Sequence, residues 1–123
     1  YLYSWRDAQI AQYNQGIAAY RSGDHQVAVK YFDTSLSTYK GRQDLNWAER
    51  FIYPKPDKEL AALASFHKAK SLLRLNQAPP AVQAFKESLE LNSGNLYLGR
   101  DLTEKEYQVF REAAMVVKYD LEL

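Results

Sequence analysis

The side chains best suited to chemistry near neutral pH are two histidines, His25 and His67. Neither has a second His, or a carboxylate at metal-ligand spacing with matching partners, so neither marks a metal site. His25 reads as a solvated side chain. Cysteine is absent, which excludes disulfides, thiol catalysis and Cys-based zinc sites and leaves the compartment open. There is no Gly-rich phosphate loop, no nucleophile elbow and no paired-acid motif. The scattered Asp and Glu read as solvated helix faces. The chain is therefore not expected to be an enzyme, and no cofactor, metal ion or small-molecule substrate is expected. The 16 basic and 15 acidic residues are interspersed and leave a net charge of +1, so nucleic acid is not an expected partner either. The chemistry left to such a chain is recognition by shape, aromatic contact and a few charged hydrogen bonds.

The elements that would position such contacts are repeated. Residues 13–36, YNQGIAAYRSGDHQVAVKYFDTSL, read as two antiparallel helices joined by a tight turn at Ser22-Gly23-Asp24. A weaker copy, FHKAKSLLRLNQAPPAVQAFKESL, occupies residues 66–89. Gly16 is matched by Ala69, Ala28 by Ala81, Phe32 by Phe85, Ser35 by Ser88 and Leu36 by Leu89, each pair 53 positions apart. That register predicts an all-α helical-repeat protein. Its 123 residues suit one domain, 1–123.

In chain order, the spacing predicts a first helix from about Ser4 to Arg21, with Trp5, Ala8, Ile10, Ala11, Ile17, Ala18 and Ala19 apolar and Tyr13 and Tyr20 alongside. Gly16 costs on the order of 1 kcal/mol in mid-helix, which implies close approach of a neighbour. Gly23 ends the helix in the left-handed conformation and Asp24 caps the next, His25 to about Tyr39. A third helix starts near Pro56 and reaches about Leu75, with Leu60, Leu63, Phe66, Ala69 and Leu73 inward. Asn76 takes the place of Gly23, since Asn tolerates the left-handed region best after Gly. A fourth helix follows from Pro79 and Pro80 to about Leu91, with Ala81, Ala84, Phe85, Ser88 and Leu89 inward. Thr103 to Glu106 form a capping box for a fifth, carrying Tyr107, Phe110, Ala114, Val117 and Leu121. Tyr119-Asp120-Leu121 align with Tyr13-Asn14-Gln15 as the opening of a partial third repeat; alternatively the fifth helix is a terminal cap.

Residues 13–36 resemble a tetratricopeptide repeat (TPR). The resemblance rests on Gly16, Ala19, Tyr20, Gly23-Asp24, Ala28, Phe32, Ser35 and Leu36 in the family's register. The departures are Gln15, where the family usually has Leu, and Lys40 and Ser93, where it usually has Pro. The resemblance implies a right-handed α-solenoid of two helical hairpins plus a C-terminal capping or partial-repeat helix. Repeat 1 covers about 9–39, repeat 2 about 57–95 and the C-terminal helix 103–123. A family period of 34 residues against copies 53 apart leaves an insert, 40–56, carrying Trp47 and Phe51. Those aromatics either seal the end of the core, the reading we favour, or form a partner-specific flap.

By family position, the concave groove would be lined by Tyr13, Asn14, Ile17, Tyr20 and Arg21 from the first copy and by Phe66, His67, Lys70 and Arg74 from the second. Arg21, Lys70 and Arg74 would attract carboxylates. His67 stands where peptide-binding members have Asn, which weakens the case for a clamp on a terminal carboxylate. The function implied is a protein-interaction adaptor or scaffold binding a protein or peptide partner; the alternative is a structural self-association module using the insert 40–56 or the helical ends.

A second resemblance is to small TPR proteins of bacterial operons encoding MoxR-type ATPases and von Willebrand factor A proteins, through the terminal run YDLEL, residues 119–123. It implies a periplasmic or membrane-tethered setting ahead of a cytoplasmic one. No run of about 18 apolar residues exists to span a membrane. Because the chain starts at Tyr1 and ends inside a helical pattern, a piece of a longer protein is expected, with an anchor or signal before Tyr1 left open. Tyr1, Leu2, Tyr3 and Trp5 either pack on the first helix, the reading we favour, or sit at a membrane interface.

Overall fold

Five α-helices run through the described residues, 5–41, 57–95 and 102–122, of this computed structural model: α1 Trp5–Arg21, α2 His25–Gly41, α3 Lys58–Arg74, α4 Ala78–Leu91 and α5 Glu104–Glu122. The protein is all-α, with no strand among the described residues. Each helix packs on the next in sequence, and α1 also touches α3.

The helix ends follow from their capping residues, and the two hairpin turns are the same turn. Gly23 has φ +85° and Asn76, 53 residues on, has φ +60°. The Asp24 amide donates to the Ala19 carbonyl at 2.9 Å, and the Gln77 amide to Leu72 at 2.9 Å. The Gly23 amide donates to Tyr20 at 3.1 Å, and the Asn76 amide to Leu73 at 3.0 Å. These left-handed closures satisfy carbonyls that each helix leaves open. Asp24 Oδ1 accepts from the Val27 amide at 3.3 Å. Asp57 caps α3 by accepting from Glu59 and Leu60 at 2.9 and 3.2 Å. Thr103 and Glu106 bond reciprocally at 3.1 and 3.3 Å, completing the capping box of α5.

The helix pairs close on small residues. Ala28, Ala81, Phe32 and Phe85 are all wholly buried. A Cβ on Gly16 would lie 2.6 Å from Phe32 Cε1, so only glycine lets α2 approach α1 here. The paired serines do the same work in both hairpins: Ser35 Oγ donates to the Gln9 carbonyl at 2.9 Å and Ser88 Oγ to Ala62 at 2.7 Å. Two apolar cores result. One joins Tyr13, Ala28, Phe32, Leu36 and Tyr39 to Ala61 and Ala64; the other joins Phe66, Leu72, Phe85 and Leu89 to Phe110 and Val117. α3 contributes to both, and its buried residues therefore ring the helix instead of forming one stripe.

Several expectations are corrected. On α1, Ile10 is 37% exposed and Ala11 and Ala18 face solvent, while Gln9, Tyr13 and Gly16 are buried. Among the described residues α1 packs chiefly on α2 and touches one edge of α3, so its buried stripe is narrow. On α5, Tyr107 is 45% exposed and Ala113, not Ala114, is wholly buried, because α5 is covered chiefly by α4. α2 continues to Gly41, and α3 starts at Lys58 behind its Asp57 cap. Residues 119–121 continue α5, which runs to Glu122. Tyr1, Leu2, Tyr3, Trp47 and Phe51 lie outside the described residues.

Gln9 was not foreseen as a structural residue. Its side chain is wholly buried and bonds both ways with one residue of the next hairpin. Nε2 donates to the Asp57 carbonyl at 2.8 Å and Oε1 accepts from the Asp57 amide at 2.7 Å. Gln9→Leu removes both bonds and strands the Asp57 amide, while the Asp57 carbonyl keeps its bond from the Ala61 amide at 3.1 Å; the loss should cost about 2 kcal/mol. Urea denaturation followed by circular dichroism measures this; an unshifted midpoint would show the pair to be idle.

Candidate functional site

The proposed groove residues repeat with the hairpins. Tyr13, Asn14, Ile17 and Arg21 on α1 correspond, 53 residues on, to Phe66, His67, Lys70 and Arg74 on α3. Spacings of three and four put each set on one helix face. The structure brings most of them together around two rings, Tyr20 and His67.

Tyr20 is half-buried in the last full turn of α1. Lys70 Nζ and Arg74 Cζ each lie 5.1 Å from its ring centroid, close enough for cation–π attraction. His67, half-buried on α3, lies 6.0 Å from the rings of both Tyr13 and Tyr20, 5.7 Å from Phe66, and stacks on Phe32 at 5.9 Å. Asn14 and Arg21 are exposed beside this cluster and Ile17 is half-buried. Two of the expected lining residues lie beneath the surface. Phe66 is 2% exposed and belongs to the second core, with Phe85 and Phe110. Tyr13 is 9% exposed and meets Phe32 edge-on at 5.9 Å. They support the face from below; burial, partly offset by Arg21, raises the Tyr13 pKa.

His25 remains partly exposed and stands edge-on to Tyr20 at 5.4 Å. Its pKa is lowered by burial and by Arg74, with Asp24 opposing. Its position beside the hairpin turn gave no sequence signal that Tyr20 would fold over it.

The charges are unevenly paired. Lys68 bonds Asp33 at 2.6 Å and Lys40 bonds Glu87, each joining two helices. On the Tyr20 face, Arg74 Nε comes within 3.5 Å of Glu106, but Arg21 and Lys70 have no carboxylate partner among the described residues. This face therefore offers aromatic edges and unneutralised cations at helical spacing. Among the described residues no cluster of three or more His, Asp or Glu is placed to hold a metal ion, and no helix is long and apolar enough to cross a membrane.

His67 carries a pH dependence. Burial first, then the Lys70 and Arg21 charges, lower its pKa from 6.5 to about 4. The facing groups are Tyr13, Tyr20 and Arg21 from α1, Phe32 from α2 and Phe66 and Lys70 on α3; none is anionic. The unfolded chain thus takes up this proton first as pH falls. The contribution of His67 is complete above pH 6.5 and is lost as the pH drops toward 4, by at most about 3 kcal/mol. His67→Phe should flatten that part of the stability profile; parallel profiles for both proteins would refute it.

No family model matches this chain, and no curated protein and no solved structure matches it.

Proposed function

We propose that this chain is a protein-interaction module of the tetratricopeptide type, which binds a partner segment along the face shared by α1 and α3. One observation carries the reading: Tyr20 sits with Lys70 and Arg74 each 5.1 Å from its ring, beside Arg21, and neither Lys70 nor Arg21 has a carboxylate partner among the described residues. Aromatic and cationic side chains on rigid helices anchor partners at low entropic cost. The identical hairpin closures support the repeat assignment. The module works as an adaptor or scaffold, not as a catalyst, and the YDLEL run at 119–123 favours a bacterial periplasmic or membrane-associated assembly.

Affinity capture from lysate of the source cells tests this. The Tyr20→Glu/Lys70→Glu double variant should lose a partner that the wild type retains, at unchanged helicity. Equal capture by both proteins would discard the groove.

A second reading, self-association, draws on α5, where Met115 is 61% and Val116 40% exposed. Light scattering across a concentration range separates the two, since a strict monomer excludes it.

A further inference from the structure

Next to the Tyr20 face, the last turn of α3 and the first turns of α5 enclose an open hollow of about 210 Å³. Leu73 and Val109 line it, and both also pack on the second core. Arg74, Lys105, Thr103 and Glu106 complete the lining. Three of these four polar residues are already committed to one another. Glu106 is 7% exposed, its Oε1 accepts from the Thr103 amide at 3.1 Å and its Oε2 lies 3.5 Å from Arg74 Nε. Lys105 is exposed and has no carboxylate partner among the described residues. The hollow is smaller than the roughly 300–1,000 Å³ of small-molecule pockets, and its size suits one side chain. Leu73 and Val109 form its apolar part, the Glu106 carboxylate is held by Thr103 and Arg74, and Lys105 adds a cation; the cationic surface continues along α3 through Arg74 to Lys70.

We propose that this hollow is an anchor pocket for one aliphatic side chain, Leu, Ile or Met, of a partner segment whose flanking residues are acidic. The proposal rests on the interaction reading above and extends that face onto α5. The aliphatic group excludes water from Leu73 and Val109, and the flanking carboxylates meet Lys105 on one side and Lys70 and Arg74 on the other. Desolvated apolar anchors supply affinity, and rim charges supply orientation and encounter rate.

The probe is a labelled Asp-Glu-Leu-Asp-Glu peptide with Gly-Ser ends, titrated into the full chain up to about 1 mM and followed by anisotropy and amide chemical shifts. The expected result is binding that moves the Leu73, Lys105 and Val109 amides. Replacing the peptide's Leu by Ser, or making Lys105→Glu in the protein, should each weaken it about tenfold. Lys105 is exposed, and a carboxylate suits the first turn of a helix, so that variant keeps its fold. Binding indifferent to both changes, with shifts confined to α1 and α3, would overturn the pocket and leave the interaction reading standing. No binding of the acidic peptide would also overturn it; loss of lysate capture in the Tyr20/Lys70 variant would then still uphold the interaction reading.

Discussion

Gly16→Leu should destabilise the protein by about 3 kcal/mol or more, as much as half of the lower range for a small domain. Even a methyl at this position would lie 2.6 and 2.7 Å from two carbons of the Phe32 ring. That ring has nowhere to go. It is wholly buried, meets Tyr13 edge-on and stacks on His67. Relief therefore requires α1 and α2 to separate, which opens the first core and breaks the Ser35 bond to Gln9. Gly16→Ala should cost less, about 1–2 kcal/mol, because a gain of roughly 1 kcal/mol in helix propensity offsets part of the clash. Denaturant midpoints of the two variants measure both, and a Leu variant as stable as the Ala variant would contradict the packing argument.

Phe85→Ala should cost about 3–5 kcal/mol, and its effect should reach beyond its own hairpin. Phe85 is wholly buried, with ring centroids 5.5 Å from Phe66 on α3 and 5.2 Å from Phe110 on α5. Phe66 and Phe110 also meet edge-on at 5.9 Å, so the three rings close a triangle. α5 rests chiefly on α4, and losing one corner of the triangle removes much of its seat. Amide exchange in α5 should accelerate more than exchange in α1. Uniform acceleration would mean that the ring stabilises the chain without specifically holding α5.

The 53-residue register made the shared hairpin geometry legible: it told that Asn76 must do what Gly23 does, and both have positive φ. It also paired Ser35 with Ser88, which make the same bond. Local patterns sufficed for the caps at Asp24 and Thr103, because each completes its bonds within three residues. What stayed hidden depends on distant partners. Gln9 bonds Asp57 across the insert, and nothing near Gln9 announces this. The structure shows the repeat relation afterwards: the position 53 residues later is Ala62, also wholly buried. The buried face of α1 differs from the expected one because periodicity does not tell how many neighbours a helix has. For the candidate site, family position named residues on α1 and α3, most of which the structure gathers around Tyr20 and His67. It could not separate side chains that reach the surface, Tyr20 and Lys70, from Phe66, which the triangle of rings draws inward. His25 joined the cluster only because Tyr20 folds toward it.

α3 belongs to both cores, and this bears on how the chain can be divided. A fragment ending before Lys58 would lack the alanines against which Phe32 and Leu36 close, and a fragment starting there would lay the same alanines bare to water. The second half holds every buried residue of the second core, but the first core is complete only when both halves are joined. Grafting or recombination that keeps the helices standing must join its neighbours ahead of α1 or beyond α5.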